Sequence, residues 1–214
     1  MVFDADGVLI DTESAWAAAR RALFERHGRR FGRVEDRQAL GGGVAGTGRM
    51  LSELLDRPNC THQLSEELLA LLLDQAQRDP PRPLPGAIGL LGELRGQLPI
   101  AVASNSPRVL LAQNLDAAGL GGLPDLILGG DEVGYPKPAP DLYLTASKRL
   151  GVKPSESLAI EDSPAGVAAA RAAGLYVIGI ETRPDVTLHA HQVADSLNDP
   201  ALRARLGIAE ETKR

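Results

Sequence analysis

The sequence predicts an α/β fold: a parallel sheet with helices on both faces, plus a small all-helical module inserted after the first strand. Three observations carry that expectation. Short apolar runs without polar alternation recur along the chain, as strands buried on both faces require. Helical stretches separate those runs in a β-α-β rhythm. The rhythm breaks once, from about Glu13 to Asp79, where no run reads as a strand.

The first strand opens the chain and breaks off into acid, in Val2-Phe3-Asp4-Ala5-Asp6-Gly7-Val8-Leu9-Ile10. The later strands are Pro99 to Ala103, Leu126 to Leu128, Leu158 to Ile160 and Tyr176 to Ile180, with a further short one near Val193 to Leu197. Arg108 to Ala118, Asp141 to Leu150 and Pro164 to Ala173 read as the helices between them. The last of these has Ser163 as N-cap, Pro164 at its first position and Gly174 as its stop. Inside the interruption, Ala15 to His27, Gly48 to Leu55 and Leu64 to Gln77 read as helices. Gly41 to Gly48 is too rich in glycine for helix or strand and reads as a loop. The proline-rich run Asp79 to Gly86 reads as a stiff connector. Hinges are expected near Asp11-Thr12 and Arg82-Pro85, and the charged tail after Ile208 is expected to fray.

Composition narrows the function. The apolar fraction of 43% supports a core, and aromatics at 3% leave its packing to Ala, Leu, Val and Gly. A net charge of −5 argues against a nucleic-acid or anionic-membrane partner, which wants a basic face. The single cysteine, Cys60, leaves no internal disulfide and suits a reducing compartment. No apolar run approaches the roughly 18 residues that span a bilayer. Because the N-terminus enters a strand at once, no signal peptide is expected, and a cytoplasmic monomer is, with a dimer as the alternative.

In a parallel α/β sheet, ligands gather at the carboxyl ends of the strands. The polar residues there are Asp4 and Asp6, then Ser104, Asn105 and Ser106, then Lys137, then Glu161, Asp162 and Ser163. Each group also has a plain structural reading. Asp and Gly serve turns, Ser104 to Ser106 and Glu161 to Ser163 can cap helices, and Lys137 can be a solvated charge. Yet only four of the 23 basic residues are lysine, which makes one held between prolines unusual for this chain. Together the four groups suit phosphoryl transfer. Carboxylates bind Mg²⁺, one can attack phosphorus, a second can protonate the leaving oxygen, and a lysine and a hydroxyl can hold the phosphoryl oxygens. His189 and His191 read as surface residues.

The chain resembles the haloacid dehalogenase-like hydrolases, in the subgroup with a helical cap after the first strand. The resemblance lies in Phe3-Asp4-Ala5-Asp6-Gly7-Val8, Ala103-Ser104-Asn105-Ser106, Pro136-Lys137-Pro138-Ala139-Pro140-Asp141 and Ile160-Glu161-Asp162-Ser163-Pro164-Ala165-Gly166. It implies a Rossmann-like core over residues 1–12 and 84–214 and a helical cap over 13–83. It implies Asp4 as nucleophile and Asp6 as general acid/base, with the Asp6 backbone carbonyl also on Mg²⁺. Ser104 and Lys137 would bind the transferring phosphoryl group. Asp162 would ligate the metal, and Glu161 would do so directly or through water. Asn105, Ser106, Arg108 and Thr12 are the expected substrate-binding residues.

Departures from the family pattern sharpen the expected reaction. Dehalogenase relatives lack the second acid, and phosphonate-cleaving relatives need a cap lysine, which no residue before Lys137 supplies. β-Phosphoglucomutase relatives carry a cap histidine and arginine where this chain has Trp16 and the Gly41 to Gly48 stretch, with Arg49 as a substitute. The expected function is therefore a Mg²⁺-dependent phosphatase of a small phosphorylated metabolite, a sugar phosphate or, given Arg108, a phosphorylated sugar acid. The rivals are a β-phosphoglucomutase-type phosphomutase and, from another class, a phospho-receiver or a non-catalytic binding module.

Overall fold

The computed structural model describes residues 1–39, 42–183 and 185–208. Strand β1 (Val2–Phe3) is followed by a short strand β2 (Ile10–Asp11) and helices α1 (Glu13–Arg26), α2 (Arg33–Ala39), α3 (Gly43–Leu54) and α4 (Thr61–Arg78). Strand β3 (Arg82–Pro83) leads to α5 (Ala87–Leu94), β4 (Ala101–Ser104), α6 (Arg108–Ala117), β5 (Leu126–Gly129) and α7 (Asp141–Arg149). The chain ends through β6 (Leu158–Glu161), α8 (Pro164–Ala172), β7 (Tyr176–Ile180), β8 (Gln192–Ala194) and α9 (Pro200–Arg205). The expectations for Gly41 and for the tail after Ile208 lie outside the described residues.

Six strands form one parallel sheet in the order β5-β4-β1-β6-β7-β8. Successive strand residues point to opposite faces, so each strand feeds two cores. Phe3, Val102, Ile160 and Ile178 pack with Leu90, Leu91 and Leu94 of α5 and Leu111 and Leu115 of α6. Val2, Ala101, Ala159 and Val177 pack on the other side with Leu142 and Ala146 of α7 and Val167 of α8. Fully burying each Leu, Ile or Phe contributes roughly 1.5–3 kcal/mol. Ser163 caps α8 by accepting from Gly166 N at 3.0 Å, and Pro164 occupies the first helical position, as the sequence predicts.

The four helices between β2 and β3 form the inserted cap. Leu64, Leu68, Leu72 and Ala76 of α4 recur at four-residue spacing and meet Trp16, Leu23 and Phe24 of α1, in a third apolar cluster that also includes Leu110 of α6. The run Asp79 to Gly86 is not a simple connector. Arg82 and Pro83 pair antiparallel with Asp11 and Ile10, and Leu84 N donates to Leu9 O at 2.8 Å. A two-strand ribbon has only edges, where proline is tolerated.

The structure corrects the sequence expectation over Gly43 to Gly48. This stretch is the first half of α3, not a loop. Glycine costs about 1 kcal/mol per helical position, but here the missing side chains permit close packing. A Cβ on Gly48 would lie 2.9 Å from Thr61 O and 2.3 Å from Ser65 Oγ of α4. At Gly43, with φ of +59°, a Cβ would lie 2.7 Å from Asn105 O, so the start of α3 rests directly on the loop after β4. Helices α2, α5 and α9 also go beyond the sequence expectation. Arg33–Ala39 has no apolar stripe, and α5 carries Gly89 and Gly92 within it.

Gly43→Ala should therefore strain the backbone and push α3 off the Asn105 loop. A loss of about 1–3 kcal/mol is expected, a fall of several degrees in Tm by thermal melt. An unchanged Tm would show that the two segments do not touch in solution.

Candidate active site

Strand order reverses at β1, which lies between β4 and β6. The crevice at such a switch point is where an open α/β sheet binds ligands. Phe3 is in register with Val102 and with Ile160. The residues just beyond are Asp4, Ala103 and Glu161, and Ser104 follows at the end of β4, so the polar groups of three strands emerge at one place. Asp4 N donates to Ile160 O at 2.9 Å, which holds the nucleophile candidate to the sheet edge. The structure brings Asp4, Asp6, Ser104, Asn105, Ser106, Lys137 and Asp162 to one cavity of about 450 Å³ between core and cap.

Lys137 is buried, and its Nζ donates to Asp4 Oδ1 and Glu161 Oε1 at 2.6 Å each and to Ala103 O at 2.8 Å. Asn105 fixes the Lys137 backbone from both sides: its Nδ2 donates to Lys137 O at 3.0 Å, and its Oδ1 accepts from Lys137 N at 2.8 Å. Burial alone lowers an ammonium pKa, but Asp4 and Glu161 outweigh it and raise Lys137 above its usual value. Glu161 is fully buried and accepts from five donors. Lys137 Nζ and Tyr143 OH reach Oε1, the latter at 2.6 Å, while Asp162 N, Ser163 N and Ser163 Oγ reach Oε2 at 3.1, 3.3 and 3.1 Å.

Asp6 has a different environment. Its Oδ2 accepts from Ser104 Oγ and Ser106 Oγ at 2.9 Å each, and its Oδ1 accepts from Thr12 Oγ1 at 2.6 Å and Trp16 Nε1 at 3.4 Å. Thr12 and Ser106 line the cavity and are both bonded to Asp6. Arg108 does not line the cavity. Its guanidinium lies against Ile127 O and, at 3.7 Å, Glu132. Arg49 is exposed and also lies off the cavity.

Several cavity-facing residues escape the sequence reading: Arg20 of α1, Asp36 of α2, and Thr182 and Arg183 after β7. Trp16 was legible as an occupant of the cap, but Asp36 lies on a short polar helix with no motif. Thr182 Oγ1 donates to Asp162 Oδ2 at 3.2 Å. Tyr143 falls within the helix read from Asp141 to Leu150, where no motif singles it out.

The acids fit a hard divalent cation. Asp4, Glu161 and Asp162 each offer an oxygen within 4.8 Å of the others. Lys137 is the one cation bonded to this cluster among the described residues, and it leaves the negative charge in excess. Burial pushes Asp4 well above the usual carboxylate range despite Lys137, with Glu161, Asp162 and Asp6 adding to the rise. Burial and the adjacent Glu161 raise Asp162 to about 7. A bound divalent cation would relieve that crowding.

The family model for haloacid dehalogenase-like hydrolases matches residues 1–174. The bifunctional riboflavin kinase/FMN phosphatase of Arabidopsis thaliana is 32% identical over 208 residues, which cover 96% of this chain and 54% of that protein. The chain thus spans about half the length of that relative. The validoxylamine A 7'-phosphate phosphatase of Streptomyces hygroscopicus subsp. limoneus is 31% identical over 194 residues, 86% of each protein. Among solved structures, CbbY from Rhodobacter sphaeroides in complex with phosphate matches with a TM-score of 0.79 and 27% identity, over 92% of this chain and 93% of that one. Among the described residues no helix is long and apolar enough to cross a membrane. Sheet order, inserted helices, strand-end acids and the match over residues 1–174 agree: the chain is an enzyme of the haloacid dehalogenase-like hydrolase family.

Proposed function

We propose that the protein is a Mg²⁺-dependent phosphatase of a small phosphorylated metabolite, acting through an aspartyl-phosphate on Asp4. The observation that carries this reading is the placement of two unlike carboxylates on one cavity. Asp4 pairs with the buried Lys137 ammonium, whereas Asp6 is held by three hydroxyls and an indole N–H. Similarity to two phosphatases supports the reaction class.

A carboxylate oxygen of Asp4 attacks phosphorus in line, and the bond from phosphorus to the leaving oxygen breaks. Asp6, in its protonated form, gives its proton to that oxygen, so the alcohol departs neutral. In the second half, Asp6 takes a proton from water, whose oxygen attacks phosphorus. Phosphate leaves and Asp4 is regenerated. Lys137 and Ser104 hold the phosphoryl oxygens, with Asn105 fixing the lysine's backbone. Asp4, Asp162 and the Asp6 backbone carbonyl would hold Mg²⁺, with Glu161 reaching it directly or through water. When bound, Mg²⁺ supplies positive charge against the phosphoryl oxygens. The cap covers the site and excludes water from the first step.

Asp4→Asn should lower phosphate release by at least about a thousandfold, since it removes the attacking group; comparable turnover by that variant would reject the mechanism. Excess EDTA should abolish turnover, and added Mg²⁺ should restore it. Full activity in chelator would remove the metal from the scheme. Tyr143→Phe leaves Glu161 one donor short. An unfolding free energy lower by about 1.5–3 kcal/mol is expected in denaturant titration.

A further inference from the structure

The cap and the loop after β7 contribute a second set of polar groups to the cavity. Arg183 stands on a fixed base, because Thr182 beside it bonds Asp162 Oδ2 and its own backbone N–H donates to Ile180 O. From there Arg183 NH1 reaches across to the cap, 3.7 Å from Glu13 Oε1 and 3.8 Å from Asp36 Oδ2. The other oxygen of Asp36 lies 3.8 Å from Arg20 NH1. Arg20 sits over Trp16, 4.8 Å from the ring centroid.

These separations matter. An N–H···O bond runs about 2.7–3.2 Å, so Asp36 is flanked by two guanidiniums without a close bond to either. Arg20 Nε is buried with no hydrogen-bond partner among the described residues. Arg20 is held in place, its NH2 donating to Ala39 O at 3.1 Å, and Arg183 Nε lies 3.6 Å from Asp185 Oδ1. The 3.8 Å gap between Asp36 Oδ2 and Arg183 NH1 leaves both within reach of a ligand that supplies a donor and an acceptor together. A hydroxyl does both.

Charge excludes the main competitor. Among the described residues, this part of the wall carries Asp11, Glu13 and Asp36 against Arg20 and Arg183. Carboxylates outnumber guanidiniums, so a second phosphate or a carboxylate on the substrate would meet repulsion. Arg108, which suggested an acidic substrate in the sequence, lies on Glu132 outside the cavity. The Trp16 ring adds a flat apolar surface for the C–H face of a sugar.

We propose that Asp36 and Arg183 are specificity residues of this site. The leaving group they read is neutral and hydroxyl-bearing, a sugar or polyol, rather than one with a second anionic group. This rests on the reading of the cavity as a phosphate-ester site centred on Asp4.

The test uses the full chain with Mg²⁺ and two readouts. Phosphate release is measured for sugar and polyol monophosphates, their bisphosphates, phosphorylated sugar acids, and acetyl phosphate, which has no hydroxyl on its leaving group. Calorimetric binding of the same esters (acetyl phosphate excepted) is measured in Asp4→Asn, with Asp6→Asn as a second background. Neutral monophosphates should exceed bisphosphates and acids at least about tenfold in kcat/KM. Asp36→Ala and Arg183→Gln should each cut the preference for neutral monophosphates over acetyl phosphate by roughly ten- to a hundredfold, chiefly through KM. Affinity in the Asp4→Asn background should fall in parallel. Preference for bisphosphates or acids, or an unaltered preference in both variants, overturns the proposal. So does failure of both backgrounds to bind neutral monophosphates. If no ester is hydrolysed but binding still depends on Asp36 and Arg183, the phosphatase reading fails and the leaving-group assignment stands.

Discussion

A buried ammonium between two buried carboxylates sets the terms for the rest of this molecule. Lys137 Nζ lies 2.6 Å from both Asp4 and Glu161. Removing one partner from such a group typically costs 3–5 kcal/mol, because the remaining charge is left buried and uncompensated. The arrangement demands that the ends of β4, β1 and β6 lie side by side and that the loop carrying Lys137 folds back over them. Asn105 meets that demand by bonding the Lys137 backbone at both its N–H and its carbonyl. Tyr143, from α7, closes the far side.

The same cluster explains why the site is open to a cation. One ammonium faces Asp4, Glu161 and Asp162, with Asp6 close by, and burial sharpens the repulsion among them. Glu161 accepts from five protein donors and still offers an oxygen within 4.8 Å of those of Asp4 and Asp162. The charge excess at the strand ends is what a bound divalent ion would offset.

The cap completes the cavity through close contacts as well as side chains. The start of α3 rests on Asn105 because Gly43 has no Cβ, and α3 meets α4 closely at Gly48. The β2–β3 ribbon ties the two chain crossings together. Arg183 from the core reaches Glu13 and Asp36 from the cap. The strand-end acids, hydroxyls and lysine come from the core, while Trp16, Arg20 and Asp36 on the cavity wall come from the cap, and Arg183 comes from the loop after β7.

The sequence by itself determined the α/β architecture, because parallel strands buried on both faces must be short unbroken apolar runs. It also marked the acids and hydroxyls at their ends, since each stands where such a run stops, and placed Lys137 in the loop beyond the third. Lys137 was legible because arginine is the habitual cation of this chain. Only the tertiary structure decided the rest. It made a helix of the glycine-rich stretch from Gly43, because packing against α4 and Asn105 outweighs intrinsic propensity. It turned Arg108 away to Glu132, because sequence position fixes where a Cα lies and not where a long side chain points. It brought Asp36 and Arg183 within reach of each other although they are far apart along the chain, and no local pattern encodes a contact made by cap packing on core.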